Sequence, residues 1–509
     1  MESSQTSLRR TGMMLATAVF LSLTTYLFVP GDTHPQAPAA AAVVALMAFL
    51  WMFEVLPIAV TSLLPLLLFP FLGILTVEKT AAFYGSSTIY LFLGGFMLAI
   101  ALQASGAHRR IALHIISRIG TQPARLVLGF MVATGFLSMW INNTATVMVM
   151  LPIAMSVLEQ AKSLGAKGKD FQHFSASVML GIAYAADIGG MATLVGTAPN
   201  LVYRKMLTLN FPSAPEPGFL EWMMMGIPVS VTLLVACWLL LSYALLPVKE
   251  KLLEEGEETV KETLKQLGTW GRDEVVAVGL FALAAILWVT GGEIKLGDDF
   301  HFLGWRKAWG LEAVDDTVVA IGCALLLFLI PSKARKGEMM MTWHMTQDLP
   351  WGVLLLFGGG FALAGGFDAS GLSTLIGDVF VQLSGTSPFV LVPVVCLVLI
   401  VLTEIASNTA VTNLTLPILA KASIAMGVDP RILMIPATLS ATCGFMMPVA
   451  TPTHAIVYGT GMVKMRQMIR AGLWLDIMSL ILVPLIFLLT AKLAWGIDLG
   501  TIPDWAMKP

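Results

Sequence analysis

A short polar motif occurs twice in this chain, each time inside a long apolar stretch. Asn143-Thr144-Ala145 is followed by Leu151-Pro152, and Asn408-Thr409-Ala410 is followed by Leu416-Pro417. One offset separates the two copies, because 408 − 143 = 265 and 417 − 152 = 265. Further landmarks keep this offset: Gly94-Gly95-Phe96 with Gly359-Gly360-Phe361, and Ala104-Ser105-Gly106 with Ala369-Ser370-Gly371. A duplicated polar cluster in apolar sequence indicates two structural repeats that share one site, as in many transporters.

The composition predicts a membrane protein. Of the 509 residues, 57% are hydrophobic and 12% are charged, whereas soluble domains carry about 25% charged residues. We therefore expect the lipid bilayer to be the solvent of this chain. The net charge of −2 is uninformative about nucleic acid, and no basic tract or stacking motif argues for such a partner, so we expect none. The four cysteines are scattered in apolar stretches and fit neither a metal motif nor a disulfide framework.

Hydropathy predicts an all-α polytopic membrane protein with eleven transmembrane helices, each of about 20 apolar residues. The predicted spans are 12–30, 39–54, 56–74, 86–107, 174–209, 219–247, 273–291, 315–331, 350–383, 430–463 and 471–495. We expect the first to be a retained helix rather than a cleaved signal peptide. The regions 126–158 and 388–420 have arms too short to cross, so each predicts a re-entrant helical hairpin with a buried polar tip.

The distribution of Lys and Arg favours a cytoplasmic N-terminus and an external C-terminus in the plasma membrane. Five crossings then separate the hairpins, and this odd number gives the repeats opposite orientations. The predicted parts are an N-terminal helix with an outer loop (1–38), a first repeat (39–248), a charged cytoplasmic linker (249–271) and a second repeat (272–509). The loop 292–314, which carries three basic residues, fits this orientation least well.

Glycine and proline interrupt an apolar span after each hairpin. Gly190 to Asn200, within 174–209, aligns with Gly444 to His454, within 430–463, because 451 − 197 = 254. A broken helix frees backbone carbonyls, which with Ser, Thr and Asn oxygens suit a small hard cation. Neither the tips nor these loops contain Lys or Arg. An anion would therefore depend on bound cations and on helix N-termini for attraction.

These motifs resemble the divalent-anion/sodium symporter (DASS) family, whose members carry dicarboxylates, citrate and sulfate. The resemblance covers roughly residues 40–495 and is carried by Glu54-Val55-Leu56-Pro57, Leu356-Phe357-Gly358-Gly359-Gly360, Thr403-Glu404, Ser407-Asn408-Thr409 and the run from Phe445 to Pro452. The family signature is a Ser-Asn-Thr triplet at each hairpin tip and a Thr/Ser-Pro-Pro-Asn-like loop in each broken helix. The resemblance implies a homodimer in which a mobile transport domain carries its site past a scaffold, an elevator-type movement.

The resemblance also implies two sodium sites and one substrate site. The first sodium site would use Ser138, Asn142, Asn143 and the backbone at Gly196, and the second Thr403, Ala406, Asn408 and Ala450. Substrate carboxylates would meet Asn143, Thr144, Thr197, Ser407, Asn408, Thr409 and Thr451. Sodium is thus implied as a coupling ion and not as a prosthetic group.

Four positions depart from the family signature. Asn142 stands where the family has serine, so its amide oxygen can face sodium only if its NH2 group points away. Ala198 replaces a proline, and Thr453-His454 replace Pro-Asn. His454 has two open interpretations, a neutral polar replacement or a protonated cation that makes transport pH-sensitive. These changes leave open sodium-independent exchange, which some family members perform.

Two acidic residues lie within apolar sequence, where a charge is costly and a functional role is expected. We expect Glu404 to support its hairpin by hydrogen bonding, with a coupling-ion or proton role as the alternative. We expect Asp187, which precedes Gly189-Gly190, to cap the first broken helix.

The predicted function is secondary active transport of C4-type dicarboxylates such as succinate, malate and fumarate, coupled to sodium. Sodium-independent exchange of dicarboxylates or citrate, and sulfate transport, are the alternatives. An intramembrane enzyme is disfavoured because no nucleophile–base motif accompanies His454. A channel would need an open polar path, whereas two hairpins predict closed, alternating access.

Overall fold

A computed structural model describes residues 2–120, 122–163, 167–248, 264–296 and 300–507. This part of the chain is helical apart from one antiparallel pair of strands, β1 (Ile294–Leu296) and β2 (Phe300–Phe302). The prediction of an all-α polytopic fold is confirmed, with the strand pair confined to the loop 292–314.

The helices that precede the charged linker are α1 (Glu2–Phe28), α2 (Ala37–Met52), α3 (Ile58–Thr61), α4 (Leu64–Phe71), α5 (Val77–Tyr84), α6 (Ser87–Ser105), α7 (Ala107–Ile119), α8 (Pro123–Ser138), α9 (Asn143–Ser163), α10 (Gly168–Gly190), α11 (Ala198–Asn210) and α12 (Phe219–Leu239). A π-helical turn, Leu240–Leu245, continues α12.

The helices that follow the linker are α13 (Arg272–Val289), α14 (Trp305–Ala308), α15 (Asp316–Leu329), α16 (Trp351–Ser370), α17 (Leu372–Phe380), α18 (Pro388–Thr403), α19 (Asn408–Met426), α20 (Pro430–Ser440), α21 (Pro452–Gly459), α22 (Met465–Trp495) and α23 (Asp504–Met507). Short 3-10 turns, Trp343–Asp348 and Val381–Leu383, precede α16 and follow α17.

Seven helices of the described residues can cross a membrane, judged by length and composition. Two of them are α9 and α19, the second arms of the two predicted hairpins. The expectation that the hairpin arms are too short to cross is therefore wrong for these two, because each helix continues past its internal proline, Pro152 or Pro417. The first arms, α8 and α18, have 16 residues each. Re-entrant insertion of the hairpins stays a prediction.

The predicted span 56–74 is not one helix. α3 and α4 are separated by a turn at residues 62–63. Pro57 immediately precedes α3, and Pro65 lies in the first turn of α4. Proline lacks the amide N–H of a helical hydrogen bond, so it is tolerated at a helix start and breaks a continuous helix. The segment therefore forms short helices where a single crossing was expected.

Both spans predicted to be interrupted are interrupted, although the second break begins at Ser440, ahead of the predicted Gly444. α10 ends at Gly190 and α11 begins at Ala198. α20 ends at Ser440 and α21 begins at Pro452. The chain between these halves has no regular structure, so its backbone groups are free to line a site.

The offset of 265 residues is visible in the backbone geometry. Gly106 ends α6 with φ 81° and ψ −1°, and Gly371 ends α16 with φ 76° and ψ 5°. Glycine favours this left-handed conformation because it has no Cβ. Ser105 and Ser370 also match, since each hydroxyl accepts a hydrogen bond from the amide two residues later. The two copies of the motif therefore adopt the same local structure.

α10 lies at the centre of the fold. Every residue from Phe174 to Gly190 is buried, and the helix packs against α8, α9, α12 and α21. Gly189 permits part of this packing, because a Cβ there would lie 2.3 Å from the carbonyl oxygen of Gly135 in α8. α10 thus connects the first hairpin to the second broken helix.

The predicted linker, 249–271, lies outside the described residues up to position 263. Arg110 anchors its described end: the guanidinium donates to the carbonyl oxygens of Leu267, Gly268 and Thr269. The same group forms a buried ion pair of 2.9 Å with Glu274 in α13. These contacts attach α7 to the start of the second repeat.

Candidate functional site

Four polar segments meet at one cavity of about 770 Å³. Residues 142–144 and 407–409 come from the two hairpin tips, and residues 195–198, 448–453 and 455 come from the interrupted helices. This volume lies in the usual range of small-molecule sites, about 300–1,000 Å³. The structure therefore brings the duplicated motifs together around one site.

The tip of the first hairpin is held by a short hydrogen-bond chain. Ser138, at the end of α8, donates its hydroxyl to Asn143 Oδ1 at 2.8 Å. The Asn143 amide nitrogen donates to Asp187 Oδ1 at 2.9 Å. A carboxylate can only accept, so this contact fixes which way the Asn143 amide faces. Asn142 Oδ1 accepts from the backbone N–H of Thr144 at 2.9 Å, which caps α9.

The tip of the second hairpin repeats this arrangement. Thr403, at the end of α18, donates to Asn408 Oδ1 at 2.5 Å and also lies 2.7 Å from the carbonyl oxygen of Ala441. The pairs Ser138–Asn143 and Thr403–Asn408 are related by the offset of 265, since 138 + 265 = 403. The cap differs, because the Ser407 side chain makes no hydrogen bond at the start of α19.

The two interrupted helices also match. Thr197 precedes α11 with φ −140° and ψ 149°, and Thr451 precedes α21 with φ −142° and ψ 151°. Asn200 ties the first loop together by donating to the carbonyl oxygens of Gly190 and Thr193, at 3.0 and 2.7 Å. In the second loop, His454 Nδ1 lies 3.3 Å from the carbonyl oxygen of Met447.

Asp187 joins the repeats at the cavity. Its Oδ2 accepts from the hydroxyls of Thr451 and Thr453, at 3.2 and 3.0 Å, and lies 3.1 Å from His454 Nε2. Its Oδ1 accepts from Asn143. The expectation that Asp187 caps the first broken helix is therefore wrong: its partners are side chains of the hairpin tip and of the second repeat. Glycine at 189 and 190 lets α10 approach the first hairpin closely, because a Cβ at these positions would lie 2.3 Å from Gly135 O and 2.8 Å from Asn143 Oδ1.

Glu404 attaches the second hairpin to the second loop. Its carboxylate accepts from the backbone N–H groups of Met446 and Met447, at 2.9 and 3.0 Å. The side chain is only 4% exposed. The predicted hydrogen-bonding role is confirmed, and the structure identifies the partner as the loop of the other motif.

Most of the predicted site residues line the cavity: Asn142, Asn143, Thr144, Gly196, Thr197, Ser407, Asn408, Thr409, Ala450 and Thr451. Ser138 and Thr403 do not, because they are buried beneath the tips and act on Asn143 and Asn408. Ala406 lies instead beside a small apolar cavity of about 100 Å³.

A second wall of the cavity was missed by the sequence reasoning. It contains Glu54, the start of α3, Phe92 and Phe96 of α6, and the start of α16. Glu54 has φ 45°, the one described residue other than glycine with a positive φ. The available signal was the offset itself: Phe92 and Phe357 are related by 92 + 265 = 357, and their rings stack at 4.5 Å between centroids.

The electrostatics of the cavity follow from its lining. None of the described lining residues is Lys or Arg, and Glu54 and Asp187 are its acids. The starts of α9, α11, α19 and α21 all lie at the cavity, and helix N-termini attract anions. No cluster of three or more His, Cys, Asp or Glu is found in the described residues, so a cation here would be held mainly by neutral oxygens.

Comparison with known proteins gives concordant results. The family described as the sodium:sulfate symporter transmembrane region matches residues 9–502. A protein of Staphylococcus saprophyticus named sodium-dependent dicarboxylate transporter SdcS is 39% identical over 492 residues, which cover 96% of this chain and 92% of that protein. The protein of the same name from Staphylococcus aureus is 40% identical over 493 residues, with the same coverage.

Two solved structures share the fold. The YdaH transporter of Alcanivorax borkumensis is similar with a TM-score of 0.55 and 16% identity, over 83% of this chain and 88% of that one. MtrF of Neisseria gonorrhoeae has a TM-score of 0.55 and 15% identity, over 81% of this chain and 82% of that one. At this level of identity the likeness concerns the fold alone.

Proposed function

The chain belongs to the family of the sodium:sulfate symporter transmembrane region, and from this premise we propose that it carries C4-type dicarboxylates across the plasma membrane by sodium-coupled symport. Membership confirms the resemblance drawn from the motifs, and it makes the chain a multi-pass membrane transporter and not an enzyme. Succinate, malate and fumarate are the proposed substrates.

The observation that carries the proposal is the convergence of both hairpin tips and both loops on one cavity without a basic side chain among its described lining residues. A dianion in such a site needs positive charge from elsewhere. Four helix N-termini supply part of it, and bound sodium would supply the rest. The relatives named sodium-dependent dicarboxylate transporters agree with both the ion and the anion.

The proposed substrate residues are Asn143, Thr144 and Thr197 from the first repeat and Ser407, Asn408, Thr409 and Thr451 from the second. Their hydroxyl and amide groups can donate hydrogen bonds to two carboxylates. Asn143 and Asn408 would couple substrate to sodium, because each directs its amide oxygen towards a hydroxyl behind the tip, on Ser138 or Thr403.

The proposed sodium ligands lie behind these tips. The first site would use Ser138, Asn143 and the backbone at Gly196, and the second Thr403, Ala406, Asn408 and Ala450. Asn142 is the weakest member of the first set, because its side-chain oxygen already caps α9. A weakened first sodium site makes sodium-independent exchange of dicarboxylates the second candidate function, ahead of citrate or sulfate transport.

We also propose a homodimer and an elevator-type movement, with the N-terminus in the cytoplasm and the C-terminus outside. The two-walled cavity supports the movement: one wall carries the tips and broken-helix loops, and the other carries Glu54, Phe92 and Phe96 of α6, and the start of α16. Displacement of the first wall along the second would carry the site across the membrane.

Uptake by proteoliposomes containing the purified chain tests the function. Labelled succinate, malate, fumarate, citrate and sulfate are offered with and without a sodium gradient, into vesicles that are empty or loaded with unlabelled dicarboxylate. Symport predicts uptake of C4 dicarboxylates into empty vesicles, and this uptake should be lost when choline replaces sodium. If uptake is undiminished without sodium and requires internal dicarboxylate, the protein is an exchanger instead. If citrate or sulfate is preferred, the proposed C4-type substrate is wrong.

A further inference from the structure

The second wall of the cavity carries one charged side chain among its described residues, Glu54. The other lining residues of this wall, around the starts of α3 and α16 and on α6, are apolar or glycine. Glu54 is exposed, and its carboxylate has no hydrogen-bond or ion-pair partner in the part of the chain that the structure describes. The substrate and sodium sites proposed above leave this carboxylate without a function.

The backbone at Glu54 is held in an unfavourable conformation. With φ 45°, it is the one described residue other than glycine with a positive φ, and a Cβ makes this region costly. The turn around it is tied on both sides: Val55 donates its N–H to the Leu50 carbonyl oxygen at 3.3 Å, and Trp51 Nε1 donates to the Ile58 carbonyl oxygen at 3.4 Å. Glycine would relieve this strain, so a carboxylate kept at this position indicates a function.

The charge of Glu54 is less compensated than that of Asp187, the other acid of the cavity. The Asp187 carboxylate accepts hydrogen bonds from Asn143, Thr451 and Thr453, which disperse its charge. Neither Lys nor Arg occurs among the described lining residues. Because apolar walls screen a charge poorly, the field of Glu54 extends into the cavity, where it attracts cations and repels anions.

The two walls therefore act on an anion with opposite sign. The helix N-termini of the first wall attract the anion, whereas Glu54 on the second wall repels it. A dianion alone in the site keeps its full charge and is repelled. The same dianion together with one sodium ion in each proposed sodium site is electrically neutral. The second wall can thus distinguish a site that holds substrate alone from one that holds substrate and sodium.

We propose that Glu54 couples transport to sodium by opposing the movement of a site that holds the dicarboxylate without sodium. The residue binds neither ligand and acts through its charge as the first wall moves along the second. The inference rests on the proposed function in taking the substrate to be a dicarboxylate, the coupling ion to be sodium and the movement to be of the elevator type. It predicts that loss of this charge lets the substrate cross without sodium.

Two substitutions of the same shape isolate the charge. Glu54→Asp keeps a carboxylate, Glu54→Asn replaces it with a neutral amide, and both new side chains tolerate a positive φ better than most. Uptake of labelled succinate by proteoliposomes is measured with saturating sodium and with choline in its place. Sodium-independent uptake should rise about tenfold in Glu54→Asn, at the lower end of electrostatic focusing effects, and stay at the wild-type level in Glu54→Asp. With saturating sodium the two variants should have similar rates.

Salt dependence provides a readout that a merely structural role would not change. Raising choline chloride from about 0.1 M to about 1 M on both sides of the membrane shortens the screening length from about 10 Å to about 3 Å. The difference between Glu54→Asp and Glu54→Asn in sodium-independent uptake should therefore shrink. Glu159→Gln, which removes an exposed acid of α9 outside the cavity, is the matched control and should keep the wild-type dependence on sodium.

Equal sodium-independent uptake by Glu54→Asp and Glu54→Asn, or a difference that high salt leaves unchanged, overturns the inference and leaves the proposed function standing. Wild-type uptake that needs no sodium overturns both the inference and the proposed symport. A wild type that takes up no dicarboxylate overturns the proposed function as a whole, and the inference with it.

Discussion

At the scale of single residues, the site depends on buried side chains that position the side chains lining the cavity. Ser138 and Thr403 do not reach the cavity, yet each contacts the amide oxygen of the asparagine five residues later. Asp187 holds the amide nitrogen of Asn143 from the other side. An amide held at both ends loses little further freedom when it binds a ligand, and such preorganisation favours affinity.

Replacing either tip asparagine with alanine should abolish transport. Asn143→Ala and Asn408→Ala each remove a group proposed to contact sodium and substrate together, so uptake of labelled succinate should fall at least about a hundredfold, near the upper end of ordinary coupling energies. Proteoliposome uptake measures this, with thermal unfolding as a check on folding. Wild-type uptake rates in both variants would contradict the proposed substrate and sodium sites.

The contact between α8 and α10 makes a second prediction for one residue. In Gly189→Ala, the new Cβ would lie 2.3 Å from the backbone oxygen of Gly135, so the helices must separate at a cost of about 1–3 kcal/mol. The thermal unfolding temperature in detergent should fall. Gly279→Ala in α13 is the matched control, because a Cβ there meets no atom within 4 Å, and this variant should be at least as stable as the wild type. Equal unfolding temperatures would contradict the predicted clash.

At the scale of elements, each hairpin tip forms a pair with the loop of the interrupted helix that follows it, and we call each pair a clamp. In each clamp the tip leads into one helix and the loop leads into a second helix. In the second clamp the loop is fixed by Glu404, which accepts two neighbouring backbone N–H groups. In the first, Asn200 holds loop carbonyl oxygens instead. The two clamps thus have the same shape and are stabilised by different chemistry.

Glu404→Gln should loosen the second clamp. Glutamine has one carbonyl oxygen, so one of the two buried N–H groups at Met446 and Met447 loses its acceptor, at a cost of about 1–3 kcal/mol. Both the unfolding temperature and succinate uptake should fall. Glu338→Gln, which removes an exposed ion pair with Arg335, should change the stability by less than about 1 kcal/mol. An uptake loss without a loss of stability would assign Glu404 a direct role in coupling.

At the scale of the whole molecule, a buried ion-pair network connects the site helices to the surrounding helices. Arg204 on α11 pairs with Asp316 at the start of α15 at 2.7 Å and with Glu216 at 2.9 Å. Asp316 also accepts from Arg306 at 2.5 Å. This pairing neutralises the charge of Arg306 in the loop 292–314. An elevator-type movement of α11 would have to break the contact with α15.

Removing the shared acid should therefore destabilise the described conformation. Asp316→Asn leaves the guanidiniums of Arg204 and Arg306 without their common carboxylate, and breaking a buried pair on one side costs about 3–5 kcal/mol. The unfolding temperature should drop well below that of Asp368→Asn, which breaks a more exposed pair with Lys421. Similar stability of the two variants would show that the network contributes little.

Alternating access can be followed at Val449, which lines the cavity and is 74% exposed. The four native cysteines are buried, so Val449→Cys should give one reactive thiol above a low background. A membrane-impermeant maleimide, applied to oriented vesicles from either side, should label it from one side at a time, and sodium with succinate should change the ratio. Unmodified chain is the control for background. Simultaneous labelling from both faces would indicate a channel.

The local features of this protein could be predicted from its sequence. The two offsets, the interruptions of the helices near Gly190 and Pro452 and the polar residues of the tips and loops that line the cavity follow from patterns of neighbouring residues, because glycine, proline and apolar runs act over one or two turns of chain. The family followed from the same motifs. The same patterns misjudged two further local features, the lengths of α9 and α19 and the division of span 56–74 into two helices.

Which distant groups meet depends on the tertiary packing and could not be predicted from the sequence. Asp187 and Thr451 are 264 residues apart and share a hydrogen bond, and Arg204 and Asp316 are 112 apart. No periodicity records such contacts, because they depend on how α10 and α11 pack against helices of the other repeat. The contacts of Asp187 and the second wall at Glu54 were therefore decided by packing, where burial makes every unpaired polar group costly.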